Sequence, residues 1–304
     1  MEENGQMTMS TERQMVRAVS ASSCICGQSK ETGAYALAEA WNELEAEGAV
    51  SLEAQVRILI PEAHGRSRLP AIQKQIEKVC REQGVKLLAV HQYKTPAVSM
   101  PLVAATCTGV MECTAQPADF SGPAKEIVLA GWAGLAGMLR IAEERDAELK
   151  ERFAPAFLKQ IEACRGCIFS GKAIRIARES GIRIMRQITE GGIFAALWHL
   201  AKETGTGMDI DMKKISVRQE TIEVCENYRL NPYQLTSTGS FLMLADDGGE
   251  LAEELRHNGI KAAVIGRLTG NNDKVIHKGE EIRYLDRPAP DELNKILGHT
   301  KSGY

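Results

Sequence analysis

The chain of 304 residues carries 37 Lys and Arg against 40 Asp and Glu, a net charge of −3. So even a balance supplies no field for drawing in nucleic acid or an anionic membrane, and the length suffices for two domains with cores of their own. No apolar run reaches the roughly 20 residues of a membrane span, and residues 1–23 lack the apolar centre of a signal peptide, so a cytoplasmic protein is expected.

In chain order, residues 1–23 read as a tail or a loosely held helix. Residues 33–48 are rich in Ala, Leu and Glu and predict a helix. In 52–60, Leu52, Ala54, Val56, Ile58 and Ile60 face one side while Glu53, Gln55 and Arg57 face the other, the pattern of a half-buried strand. Pro61 stops it. Residues 69–83 form an amphipathic helix with Ile72, Ile76 and Val79 on one face and Gly84 beyond its end. Strands follow at 85–92, 102–107 and 126–130, then helices at 134–152 and 155–164, where the boundary between halves is placed. The second half alternates strands and helices and ends in a hairpin, 274–277 with 282–285, across Lys278-Gly279. Mostly antiparallel sheets, and hence an α+β class, fit this order better than a doubly wound parallel sheet.

Eight cysteines are present, and in a chain of this size with no export signal reduced thiols are expected. Cys24/Cys26 and Cys164/Cys167 are the only close pairs. Four thiolates can hold zinc or an iron–sulfur cluster, yet these pairs lie far apart and the first has an unusual spacing, so no metal site is assigned. There is no P-loop, H-E-x-x-H or G-x-S-x-G, and the glycines of 131–137 have the wrong spacing for a dinucleotide fingerprint.

Thr189-Glu190-Gly191-Gly192 runs straight into the apolar-faced stretch 193–201. Thr189 can cap a helix, the glycines allow close approach, and a helix start with unpaired N–H groups suits phosphate. An ordinary capped helix would explain those four residues alone. The residues that follow add weight: Gly205-Thr206-Gly207, Met208-Asp209-Ile210-Asp211, a polar helix at 218–228, Leu230-Asn231-Pro232, Ser237-Thr238-Gly239-Ser240, a helix at 249–257 and a strand at 262–266. Over 187–297 this succession resembles the C-terminal domain of the aminoimidazole ribonucleotide (AIR) synthase, or PurM-like, superfamily. That superfamily includes the hydrogenase-maturation carbamoyl dehydratase, selenophosphate synthetase and thiamine-monophosphate kinase. In the first half, 84–91 with Thr95-Pro96 and 100–103 resembles the family's central strand, metal-site turn and return strand. The hydrogenase-maturation-related branch is the most similar.

The resemblance implies an α+β, two-domain fold: a mixed or antiparallel N-terminal sheet domain with helices, and a C-terminal α/β sandwich. It divides the chain into a tail (1–23), a shortened N-terminal domain (24–153) and a C-terminal domain (154–304). It also implies a homodimer through the N-terminal domains and ATP with Mg²⁺ between the halves. The family's early acidic pair has no counterpart before Gly33, its Asn-Asp pair becomes Asn42-Glu43, and its Gly-Gly-His-Thr-Glu turn becomes Ala89-Val90-His91-Gln92-Tyr93, which keeps only the histidine. The candidate nucleotide-binding residues are therefore Asn42, Glu43, His91, Thr95, Thr189, Glu190, Gly191 and Gly192. With so few carboxylates, ATP binding is expected to be weak and little helped by Mg²⁺. The family's maturation enzymes carry a terminal cysteine, whereas this chain ends in Gly303-Tyr304, so thiocarbamate chemistry on its own tail is not expected. Two functions remain: a divergent ATP-binding protein in phosphoryl activation of a small-molecule amide or carbonyl, or a non-catalytic, ligand-sensing or scaffold homodimer.

Overall fold

The computed structural model describes residues 16–62, 68–112 and 125–298. Its first half contains β1 (Val16–Cys26), α1 (Thr32–Glu47), β2 (Val50–Pro61), α2 (Arg68–Gln83), β3 (Lys86–Thr95) and β4 (Leu102–Glu112). The strands form one sheet in the order β1-β4-β2-β3. β4 is antiparallel to β1 and β2, while β2 and β3 run parallel. The alternation in β2 does what its period requires: Ala54, Val56, Ile58 and Ile60 are buried and pack in one core with Leu37 and Leu44 of α1 and Ile72 and Ile76 of α2. The other face carries rows such as Cys24–Ala104–Arg57–His91, and no described element lies over it.

Two local expectations are corrected here. Residues 16–23 are not a tail: they pair with β4 from Val16↔Glu112 to Cys26↔Leu102, and Ile25 reaches the core. The Ser, Ala and Cys side chains of this strand are small and weakly apolar, so its alternation is faint. The stretch from Ala89 to Thr95 is not a turn but a continuation of β3. Where glycines would let the chain bend, Val90 and Tyr93 suit extended backbone. Residues 1–15, Cys113 and 299–304 lie outside the described residues.

The second half holds β5 (Glu126–Ala130), α3 (Leu135–Glu144), α4 (Asp146–Arg152), α5 (Pro155–Ala163), α6 (Gly171–Glu179), β6 (Met185–Gln187), α7 (Gly192–Thr204), β7 (Gly207–Asp211), α8 (Gln219–Tyr228), β8 (Phe241–Ala245), α9 (Gly248–His257), β9 (Ala262–Thr269), β10 (Lys274–Lys278), β11 (Glu281–Tyr284) and α10 (Asn294–Leu297). Its sheet runs β11-β10-β7-β9-β5-β8-β6, antiparallel throughout except for the β7/β10 pair. Alternate residues of β5 and β8 face opposite layers. Ile127, Leu129, Leu242 and Leu244 pack with Ile193 and Leu197 of α7. Val128, Ala130, Phe241 and Met243 pack with Ile174 of α6 and Leu251 and Leu255 of α9. The result is the expected sandwich.

The division expected between 153 and 154 does not follow the sheets, because β5 pairs with β8 and β9 in the second sheet. α3 and α5, which come after β5, contribute Leu135, Met138, Leu139 and Ile161 to the first core. The chain therefore crosses between halves more than once, and a single cut point cannot describe it. The one helix expected over 134–152 is broken at Arg145, whose φ of −118° leaves the helical range, giving α3 and α4.

Candidate functional site

Between the halves lies a cavity of about 370 Å³, walled by Ser22–Cys24 of β1, Glu39 and Glu43 of α1, Arg140 of α3, Thr189 and Glu190 ahead of α7, and Asp291 with Asn294. Glu39 ties the two halves together at its edge. One of its oxygens accepts from Ser23 Oγ at 2.6 Å and the other from Thr238 Oγ1 at 2.7 Å. Arg140 donates to the Cys26 carbonyl at 2.7 Å and, among the described residues, is the only cation in a wall that carries four carboxylates.

The start of α7 is the most informative point. Gly191 and Gly192 have φ of 78° and 66°, a region that favours glycine, and a Cβ at Gly192 would come within 2.5 Å of the Tyr233 carbonyl oxygen. No side chain of the preceding residues caps the helix, so Thr189 does not play that part. The cap comes from a residue 100 positions away: the Gly191 N–H donates to Asp291 Oδ2 at 2.8 Å, while Oδ1 accepts from the Leu293 N–H at 2.9 Å. Asp291 is 5% exposed. Burial pushes its carboxyl up to about 6, against the two N–H donors and Arg140. A carboxylate of the chain itself thus sits where an incoming anion would meet the helix start.

The other candidates separate into groups. Glu43 is exposed on the cavity wall, and partial desolvation raises its carboxyl, with Glu47 adding to this, Arg186 opposing it and Glu39 adding again. Thr189 and Glu190 also line the cavity. Asn42 is fully buried and engaged: its amide donates to the Ile168 carbonyl at 2.8 Å and Gln187 Oε1 at 2.9 Å, and its oxygen accepts from the Ser170 N–H at 3.0 Å. It stitches α1 to the second half and holds no ligand group free to turn outward. His91 and Thr95 are on β3, three strands from β1, and at a spacing of about 4.8 Å per strand this is roughly 14 Å from the cavity edge. Sequence reasoning did not select Ser22–Cys24, Glu39, Arg140 or Asp291. For Asp291 the only local signal is Pro290-Asp291, a turn-forming pair that says nothing of its remote partner.

All described cysteines are free, and among the described residues no three His, Cys, Asp or Glu side chains are grouped to hold a metal. A triphosphate does not fit the cavity as it stands, because the Gly191 N–H is already bonded and the wall is acidic.

Fold and cleft together define a two-domain α+β protein of the AIR-synthase-like kind. The model of the family described as AIR synthase related protein, C-terminal domain, matches residues 137–278. A putative hydrogenase expression/formation protein from Methanocaldococcus jannaschii is 24% identical over 88% of this chain and 79% of its own length. The crystal structure of E. coli HypE, a hydrogenase maturation protein, superposes with a TM-score of 0.76 at 17% identity, covering 92% of this chain and 88% of that one. A hydrogenase maturation protein HypE in complex with ATP gives 0.67 at 17% identity, over 91% and 87%. Residues 137–278 thus match the AIR synthase related C-terminal domain, and the chain shares the two-domain fold of the hydrogenase maturation protein HypE. The resemblance and the fold class read from the sequence both hold. No helix among the described residues is long and apolar enough to cross a membrane.

Proposed function

We propose that this protein binds ATP in the cleft between its halves, weakly and in competition with its own Asp291, in phosphoryl activation of a small-molecule amide or carbonyl. The observation that carries this reading is the Gly191 N–H bonded to a buried carboxylate. The start of α7 is already an anion site, and the anion in it belongs to the chain. A relative solved with ATP supports nucleotide as the external occupant. Binding then requires the segment around Asp291 to withdraw, so part of the nucleotide's interaction energy is spent on displacing it, and the observed affinity falls by the fraction of molecules that are open. Arg140, Thr189 and Ser22–Cys24 would line the opened site. Once bound, ATP would give its γ-phosphoryl group to the amide or carbonyl oxygen, making that oxygen a leaving group, with ADP as the other product.

Magnesium would add little, since only Glu39, Glu43 and Glu190 remain on the wall beside Asp291, and Glu39 is occupied by two hydroxyls. We place the homodimer of the resemblance on the open face of the first sheet, where small and polar residues such as Ser22, Ala104 and Thr106 lie in register. Calorimetric titration with ATP, with and without Mg²⁺, tests the reading. Weak heat that changes little with the metal supports it, whereas no binding of ATP under either condition would leave the scaffold reading in its place.

A further inference from the structure

A hollow of about 650 Å³ lies where α9 and β9 meet the short turn Met212–Lys214 that follows β7. Four cations stand in its walls: Lys213 and Lys214 of the turn, Arg256 near the end of α9, and Lys261 at the entry to β9. The chain as a whole has more acids than bases, yet among the described residues no carboxylate lines this hollow. None of the four cations forms an ion pair among those residues either. The acids nearest in the chain are already engaged. Asp211 Oδ1 accepts from the Lys213 N–H at 3.0 Å, and both oxygens of Glu220 accept from Arg218 at 3.0 Å.

α9 sorts the charges by face. Gly249, Ala252 and Arg256, spaced three and four apart, line this hollow, while Glu250, Glu253 and Glu254 line a different one. Arg256 has an explanation of its own, since a cation suits the last turn of a helix and its Nη1 donates to the Ala262 carbonyl at 3.2 Å. That bond also holds its guanidinium in the wall. The three lysines have no such role, and like charges gathered round one hollow repel. The floor beneath them is apolar. Ile215 and Ala252 are buried, Val217 and Val264 are half-buried, and the indole of Trp132 forms a wall. The Trp132 N–H donates to Ser240 Oγ at 2.9 Å, and the same hydroxyl donates to the Trp132 carbonyl at 3.0 Å, which fixes its backbone. Lys261 Nζ lies 5.4 Å from the centre of the Trp132 ring.

Volume, charge and floor together select an occupant. The volume is that of a small-molecule pocket, and the floor takes an apolar body about the size of one ring. Four uncompensated cations call for a compact group with close to two negative charges, which a phosphate monoester carries above its second ionisation at about pH 6. We propose that this hollow binds a small organic phosphate, with its phosphoryl group among Lys213, Lys214, Arg256 and Lys261 and its apolar body against Trp132 and the floor. The site goes beyond the nucleotide reading and does not depend on it, because it shares no lining residue with the interdomain cavity.

The probe is 4-nitrophenyl phosphate, titrated into the full chain at pH 8 by calorimetry and by quenching of tryptophan fluorescence. Saturable binding is expected, weakened by added salt and at least about tenfold weaker in Lys213→Gln/Lys261→Gln. Both lysines are exposed, so the melting temperature should stay near that of the wild type. Lys159→Gln/Lys202→Gln removes the same charge from exposed positions elsewhere, and Arg140→Gln alters the interdomain cavity; each should keep wild-type affinity. Trp132→Phe should remove the saturable quench. Inorganic phosphate, which lacks the body, and 4-nitrobenzyl alcohol, which lacks the charge, should each bind at least about tenfold more weakly. Wild-type affinity in Lys213→Gln/Lys261→Gln, an equal loss in either control variant, or a saturable quench that survives Trp132→Phe would overturn the proposal. So would equal affinity for either simpler probe, or no binding by the wild type at millimolar 4-nitrophenyl phosphate.

Discussion

Replacing Asn42 by Ala tests whether this residue holds the two halves together or waits for a ligand. The truncation removes hydrogen bonds of 2.8, 2.9 and 3.0 Å at a fully buried position. It orphans the Ile168 carbonyl and the Ser170 N–H, while Gln187 Oε1 keeps a longer bond of 3.4 Å from the Gly239 N–H. Two orphaned backbone groups at about 1–2 kcal/mol each, plus roughly 0.5–1 kcal/mol for the weakened glutamine contact, give a loss of about 2.5–5 kcal/mol. That is a large share of the 5–15 kcal/mol or so that holds a typical domain together. Urea denaturation followed by tryptophan fluorescence is the assay, with Trp41 next to the mutated residue reporting on α1. Two transitions in place of one would also fit, because the halves would then unfold apart. A destabilisation below about 1 kcal/mol, combined with lost ATP binding, would refute the structural assignment and return Asn42 to the ligand site.

Glu143 and Asp291 both have carboxyls raised on folding, to about 7 and about 6. In each case the folded state holds its proton more tightly than the unfolded chain, so their contribution to stability is present at low pH and is lost as pH rises, from 4.5 to about 7 for Glu143 and from 3.8 to about 6 for Asp291. A shift of two units or more is of the order of 3 kcal/mol, so the stability difference between Glu143→Gln and wild type should change by about that amount between pH 5 and pH 8. A pH-independent difference in denaturation midpoints would contradict it. Light scattering should report a dimer for the wild type and a monomer for Thr106→Arg, which puts a charge in the middle of the open sheet face; a monomeric wild type would move the interface elsewhere or remove it.

Much of the fold was legible because it rests on local periodicity. β2 and α2 read correctly since their apolar spacing matches the side they bury, and the expected hairpin of β10 and β11 forms with its turn at Gly279-Glu280, one residue beyond the expected position, where Gly279 has φ of 70°. β1 was missed because Ser22, Ser23 and Cys24 carry little apolar contrast, and its partner β4 lies some eighty residues on, with Ser22 opposite Thr106. The candidate site was legible as a place and not as a set of contacts. Thr189, Glu190 and Glu43 do line one cavity, but the amide of Asn42 is consumed inside the fold and His91 continues a strand. Asp291 was invisible because nothing in a sequence announces which helix start a distant carboxylate will cap.

The most direct test of the central claim compares ATP binding by wild type and Asp291→Asn, titrated by calorimetry with and without Mg²⁺. Asparagine keeps the size of the side chain but removes the competing negative charge from the start of α7, so the affinity should rise at least about tenfold, with little dependence on Mg²⁺ in either protein. Tight, strongly Mg²⁺-dependent binding by the wild type that is unchanged in Asp291→Asn and abolished in Glu43→Gln would contradict the account and place the phosphates on a carboxylate-held metal.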